Sequence, residues 1–200
     1  MAIVINGSGT VSGLAVGGLP DGTVDAGTLA TNSVDSAELV DGSIDTAHIG
    51  TDQITSAILP AGSVVQVVSA THSTETTSSS TTYSDTGLTA TITPTSSSNK
   101  VLVVVNQNGL EKDNNDIKME AKLLRGSTDL AVFIGSGSLN TSTANRTDIG
   151  GVGFTYLDSP STTSATAYKT QFRASHNGSG TIAVQNDTAV ASITLMEIAG

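Results

Sequence analysis

The feature that most restricts how this chain can fold is an internal repeat over residues 21–60. Written in tens it reads DGTVDAGTLA, TNSVDSAELV, DGSIDTAHIG and TDQITSAILP. Apolar residues recur at every fifth position: Val24, Leu29, Val34, Leu39, Ile44, Ile49, Ile54 and Leu59. That period fits neither regular element. On a helix a five-residue step carries the side chain about 140° past a full turn and scatters the apolar set. In a strand it flips each successive member to the opposite face. The unit is therefore irregular, an extended piece followed by a tight turn. Asp35-Ser36-Ala37-Glu38 has the spacing of a capping box. Asp45-Thr46-Ala47-His48 and Thr55-Ser56-Ala57-Ile58 keep only the cap residue. A unit of this kind cannot bury its apolar stripe alone. Stacking along one chain gives a β-solenoid, and wrapping three chains gives a fibrous stem. Forty residues make few coils for a solenoid, which favours the three-chain stem.

The flanking regions read differently. Residues 1–20 open with Ile3, Val4 and Ile5, pass a turn at Asn6-Gly7-Ser8-Gly9, and reach a break at Gly17-Gly18-Leu19-Pro20. Residues 62–200 read as a string of strands. They are Ser63–Val68, Leu88–Ile92, Lys100–Asn106, Lys118–Leu124, Leu130–Ile134, Gly151–Leu157, Ala167–Arg173, Thr181–Gln185 and Ala191–Ile198, separated by polar clusters such as Thr71–Thr82. Short strands with frequent turn signals predict a β-sandwich or jelly roll. Val101–Val105 is apolar throughout, which predicts burial on both faces. Ile117–Leu124 alternates less cleanly and leaves a helix open as the alternative.

Composition agrees with an all-β chain. Val, Ile and Leu carry the hydrophobic fraction, Ser and Thr exceed a quarter of the residues, and there are only three Phe, three Tyr and no Trp. The formal net charge is −10, and no Lys or Arg precedes Lys100. An acidic first half repels phosphate, so neither nucleic acid nor an anionic membrane is an expected partner. Without Cys there is no disulfide framework and no thiolate metal site, so oligomerisation is the expected source of extra stability. The N-terminus lacks the basic and apolar regions of a signal peptide, and no run reaches transmembrane length.

Chemistry-bearing motifs are scarce. His48, His72 and His176 lie far apart with no second ligand at metal spacing. The Gly-Ser-Gly pieces at Ser8, Ser136 and Ser179 do not complete a nucleophile turn. The carboxylates sit at caps or in turns, and the aromatics that line a sugar cleft are few, against glycan hydrolysis. Glu111-Lys112-Asp113-Asn114-Asn115-Asp116 is oxygen-rich but lacks the glycine and distal glutamate of a calcium loop, and reads as a solvated turn. Gly150-Gly151-Val152-Gly153 is not a nucleotide fingerprint. Asn140, Asn145, Asn177 and Asn186 head glycosylation sequons of the kind expected by chance in so Ser/Thr-rich a chain. No enzyme activity, cofactor or metal is expected.

Several stretches resemble a family of marine bacteriophage structural proteins described as tail-fibre-like. They are Met1–Thr10 with Val16–Gly22, Tyr83–Leu88 with Ile92-Thr93-Pro94, Leu157–Lys169 with its Leu-Asp-Ser-Pro start, and Ile193–Ile198. The resemblance implies a virion protein. It transfers no functional residues, and this repeat has Glu38 and His48 where similar shafts carry Lys.

The expected molecule is a homotrimer. Residues 1–20 attach to the particle through Ile3, Val4 and Ile5, residues 21–60 form the stem, and residues 62–200 form a β-sandwich knob. Three placements compete. A tail fibre would present the knob to a host surface glycan or protein, and a capsid decoration or head fibre would clamp coat subunits. A carbohydrate-binding module would stack sugars on Tyr83, Tyr156 or Tyr168. At roughly 25 cal/mol per Å² of apolar area, eight stripe residues per chain supply several kcal/mol, comparable with a domain's net stability. Replacing both Val34 and Ile44 with Asp is expected to dissociate the assembly in sedimentation velocity; an unchanged oligomer would remove the stripe from the axis.

Overall fold

The computed structural model describes residues 29, 34, 39, 41–51, 53–55, 58–114, 117–135, 147–175 and 180–200. The proposed attachment residues Ile3, Val4 and Ile5, the stem residue Val24 and the Asp35–Glu38 box lie outside them. So do His176, Ser8, Ser136, Ser179 and the sequons at Asn140, Asn145 and Asn177.

The chain divides into two units, Met1–Gln53 and Ile54–Gly200. In the first, the repeat's local chemistry is visible around Asp45. The His48 amide donates to the Asp45 carbonyl at 3.0 Å, closing one turn. The Ala47 amide donates to Asp45 Oδ1 at 2.8 Å, as an N-cap requires. His48 Nδ1 lies 2.8 Å from the same oxygen and takes the place that a capping-box glutamate would fill. The cap interactions hold the Asp45 carboxyl below its ordinary value, the Ala47 amide foremost.

The second unit is an antiparallel β-sandwich. Its strands are β1 (Val64–His72), β2 (Thr76–Ser78), β3 (Ser84–Ile92), β4 (Lys100–Lys112), β5 (Met119–Arg125), β6 (Thr128–Ile134), β7 (Thr147–Asp158), β8 (Thr166–Ala174), β9 (Ile182–Val184) and β10 (Ala191–Ile198). One sheet runs β1-β10-β4-β9-β2 with β7 also paired to β4; the other runs β3-β8-β5-β6. All nine predicted strands form. The tenth, β2, falls inside the polar cluster 71–82 that reads as a connection, because three consecutive Thr and Ser residues carry no apolar alternation. The segment with a helical alternative is strand β5, held between β8 and β6. Its hairpin with β6 turns through Gly126-Ser127, where Gly126 has φ +57°, a value that costs glycine no steric strain.

Alternation places the core. In β3, Thr86, Leu88, Ala90 and Ile92 are buried while the residues between them are exposed. In β4, Val101, Val103 and Val105 are fully buried, but Leu102 and Val104 are only half-buried. The expectation of burial on both faces is thus corrected: this strand covers the core with one face, as antiparallel sheets commonly do.

The core has two apolar clusters. One gathers Leu88, Ile92, Val103, Tyr168, Ile193 and Leu195; the other gathers Leu110, Ile117, Met119, Phe172, Ile182 and Val184. A layer of fully buried polar side chains lies between them in strand order: Thr86 on β3, Gln107 on β4, Thr170 on β8 and Gln185 after β9. Thr170 Oγ1 donates to Gln107 Oε1 at 3.0 Å and lies 2.6 Å from Thr86 Oγ1, which accepts from the Leu88 amide at 3.1 Å. With its amide oriented so that the nitrogen faces the acceptors, Gln185 donates to the carbonyls of Val184 and Thr86 and its oxygen accepts from Gln107 Nε2.

This layer sits where β4 changes neighbours. Residues Lys100–Asn106 pair with β10, and Glu111 and Lys112 pair with β9 on the same edge. Gly109 makes the change possible. Its φ is +62°, and a Cβ there would lie 2.5 Å from the Asn186 nitrogen. At the other end, Arg125 Nη1 donates to both oxygens of Asp158 at 2.9 and 2.7 Å, and the Tyr168 hydroxyl donates to Asp158 Oδ2 at 2.7 Å. Burial, and then the Asp158 contact, push the Tyr168 hydroxyl pKa up. That set ties β7 of one sheet to β5 and β8 of the other. Replacing Thr170 with Val keeps the shape but leaves Gln107 Oε1 without this donor. The expected cost is about 1–3 kcal/mol, read as a lower urea midpoint at unchanged slope.

Candidate oligomer interface

The stripe residues fall as follows. Leu29, Val34, Leu39, Ile44, Ile49 and Ile54 are between 39% and 53% exposed, and Leu59 is half-buried. Ile58 and, on β1, Val64 and Val67 continue the series of exposed apolar side chains along the chain, at 62%, 51% and 56%.

The strand register shows a second apolar surface that the sequence reading missed. Across β1, β10, β4 and β7, Val67 pairs with Met196, Met196 with Leu102, and Leu102 with Leu157. These four lie opposite to the core-facing positions Val68, Leu195, Val103 and Tyr156, so they form one row on the outer face. The row on one side of it is Ser69, Thr194, Val104 and Thr155, and on its other side Val64 pairs with Ile198. Over these rows the one charged outward residue is Lys100, opposite Ile198. The signal was in the sequence as the apolar members of Lys100–Asn106 and Ala191–Ile198 that alternation leaves outward. Without the register nothing says that they align.

The other sheet faces outward with charge. Lys169 and Gln171 donate to Asp85 at 3.0 and 2.8 Å, and Lys122 donates to Asp129 at 2.7 Å. Arg173 Nε and the Tyr83 hydroxyl donate to Glu120 Oε2 at 2.8 and 3.1 Å. Lys122 Nζ and the Arg173 guanidinium lie 4.2 and 4.6 Å from the centre of the Tyr83 ring. A surface laced in this way suits water.

A buried carboxylate fixes the register that aims Val67 and Met196 outward. Glu197 is fully buried. It accepts from Gln66 Nε2 at 2.5 Å, from the Thr95 amide and hydroxyl at 2.7 and 2.9 Å, and from Asn99 Nδ2 at 2.6 Å. Gln66 and Glu197 are opposite one another on β1 and β10, one residue before Val67 and one after Met196. A slip of one residue in β10 would turn Met196 inward and carry Glu197 away from Gln66, Thr95 and Asn99.

Other candidate chemistry finds other uses. Glu111 and Lys112 belong to β4 and are buried, which corrects the reading of Glu111–Asp116 as a solvated turn; Asn115 and Asp116 lie outside the described residues. Asn186 donates to Glu111, and the Thr181 amide donates to Asp113 Oδ1 at 2.5 Å. Among the described residues no group of three or more His, Asp or Glu is placed to hold a metal ion, and no helix is long and apolar enough to cross a membrane. Of the tyrosines offered for sugar stacking, Tyr168 is inside the core, Tyr156 is half-buried beside Phe154, and Tyr83 is half-buried beneath its cations.

Burial raises the pKa of Glu197, but the opposing hydrogen bonds from Asn99, Gln66 and Thr95 outweigh it and hold the group below the ordinary 4.5. A depressed folded pKa stabilises the fold above the unfolded value, and that contribution is lost as pH falls through the folded one. Stability is therefore expected to decline below about pH 4.5. Replacing Glu197 with Gln is expected to cost about 1–3 kcal/mol at neutral pH, with the gap to the native chain narrowing as acid is added. Urea titrations of both proteins at several pH values check this.

No protein-family model and no curated protein matches the chain. Among solved structures it is similar to the VP2 subviral particle of infectious bursal disease virus, at 13% identity and a TM-score of 0.37. That match covers 67% of this chain and 37% of the other. The structure of the virus's Gx strain gives 12% identity, a TM-score of 0.35, and 68% and 37% coverage. The chain thus spans little more than a third of the length of either.

Proposed function

We propose that this chain is a non-enzymatic structural component of a bacteriophage particle, a short trimeric fibre or spike subunit whose knob meets the host surface. The observation that carries the reading is the exposed stripe. Six of its members stand between 39% and 53% exposed in the single chain, while the β-sandwich closes its core without them. Side chains repeated at a fixed spacing and left open to water stabilise nothing in a monomer; wrapped chains would bury them. A single-chain solenoid would cover each such residue against the next coil. The resemblance of Met1–Thr10 and Leu157–Lys169 to tail-fibre-like proteins supports a virion role. In this reading residues 1–20 bind the particle and the loops of the knob contact a host glycan or protein. The positions of Tyr83, Tyr156 and Tyr168 weigh against a carbohydrate-binding module, because a sugar-stacking ring must lie open.

Copy number relative to the major coat protein, by quantitative mass spectrometry of purified particles, tests the reading. A few copies per particle are expected. A count comparable with the coat protein would make the chain a capsid decoration or head fibre, and its absence from particles would overturn the virion role.

A further inference from the structure

We propose that the outer face of β1-β10-β4-β7 is a second self-association surface, on which the knobs of neighbouring copies pack. This deepens the oligomer reading and rests on it for the occupant. The row Val67, Met196, Leu102 and Leu157 crosses four strands in register, with Val64 and Ile198 paired beside it. Val64, Val67 and Leu157 are half or more exposed. A sheet face of apolar and small polar residues is what another sheet stacks on, at about 10 Å.

Charge selects the occupant. Each copy carries a net −10, so two copies can approach closely only where no carboxylates meet. The other outer face carries Asp85, Glu120 and Asp129, whereas the row from Val67 to Leu157 and the row from Ser69 to Thr155 of this one hold no acid, and the exposed Asp148 lies at the far end of β7. A partner recognised by charge would find nothing here to pair with except Lys100. Continuity points the same way. The exposed apolar series passes along the chain from Ile54 and Ile58 to Val64 and Val67, so copies joined through the repeat keep their β1 strands tethered only a few residues from the junction. The second contact then forms at high effective concentration.

Met196 reports the contact directly, since thioether oxidation follows exposure; Met119, in the core, is the internal control. Hydroxyl-radical footprinting of the full chain is run across a dilution series, alongside sedimentation, for three proteins: native, Val34→Asp with Ile44→Asp, and Leu102→Glu with Leu157→Glu. Circular dichroism confirms that each is folded. In the native protein Met196 oxidation is expected to fall at least fivefold on association, and the Leu102/Leu157 variant is expected to weaken association at least tenfold. If Met196 stays equally reactive in the oligomer, the sheet face is not an interface, though the stem stands. If the Val34/Ile44 variant still associates with Met196 protected, the face stands and the stem assignment fails. Native protein that is monomeric throughout, with Met196 protected only in particles, would give the face to another virion protein and overturn the proposal.

Discussion

The sandwich depends on how β4 is shared. Among the described residues it is the longest strand, and along one edge it serves two neighbours in turn, β10 and then β9. A strand cannot change partners without a break in its ladder, and a break inside a core exposes polar backbone to apolar surroundings. Gly109 supplies the break, and Gln107, Thr170, Thr86 and Gln185 supply the hydrogen bonds that fill it. Two dry clusters flank this wet-chemistry layer. Apolar residues alone would let β4 slide along its neighbours; a satisfied polar layer holds one register, because any shift leaves several buried groups unpaired.

That register decides what the molecule shows to its surroundings. One sheet turns a network of ion pairs to solvent, and the other turns a nearly uncharged face. The difference comes from alternation within each strand, locked by Glu197 and Asp158, which flank Val101 in one cross-strand row. Neither carboxylate is near a metal-like cluster among the described residues. Both are consumed in holding strands.

The strands of the sandwich were legible in the sequence, but their order in the sheets was not. Runs of alternating apolar and polar residues marked β3, β8 and β10, and the capped turn at Asp45 followed from side-chain spacing alone. What was not legible depends on pairs distant in sequence. The row from Val67 to Leu157 needs three registers at once. The single covered face of Val101–Val105 needs knowledge of what lies outside it. Strand β2 forms because β9 offers it a partner, not because Thr76-Thr77-Ser78 has any preference strong enough to read. Likewise Glu111 reads as a turn residue until β4 is seen to run through it.

The position of β10 has a consequence for how the protein is made. It is the last strand in chain order, yet it lies between β1 and β4, pairing with residues from Val64 onward on one side and from Lys100 onward on the other. Until it emerges from the ribosome, Val101, Val103 and Val105 have no complete cover and β1 has no partner in its sheet. The sandwich must therefore close after synthesis has passed residue 198, in a slow step dominated by long-range contacts. The upstream repeat has emerged long before that. The repeat is therefore free to make its contacts before the sandwich has closed.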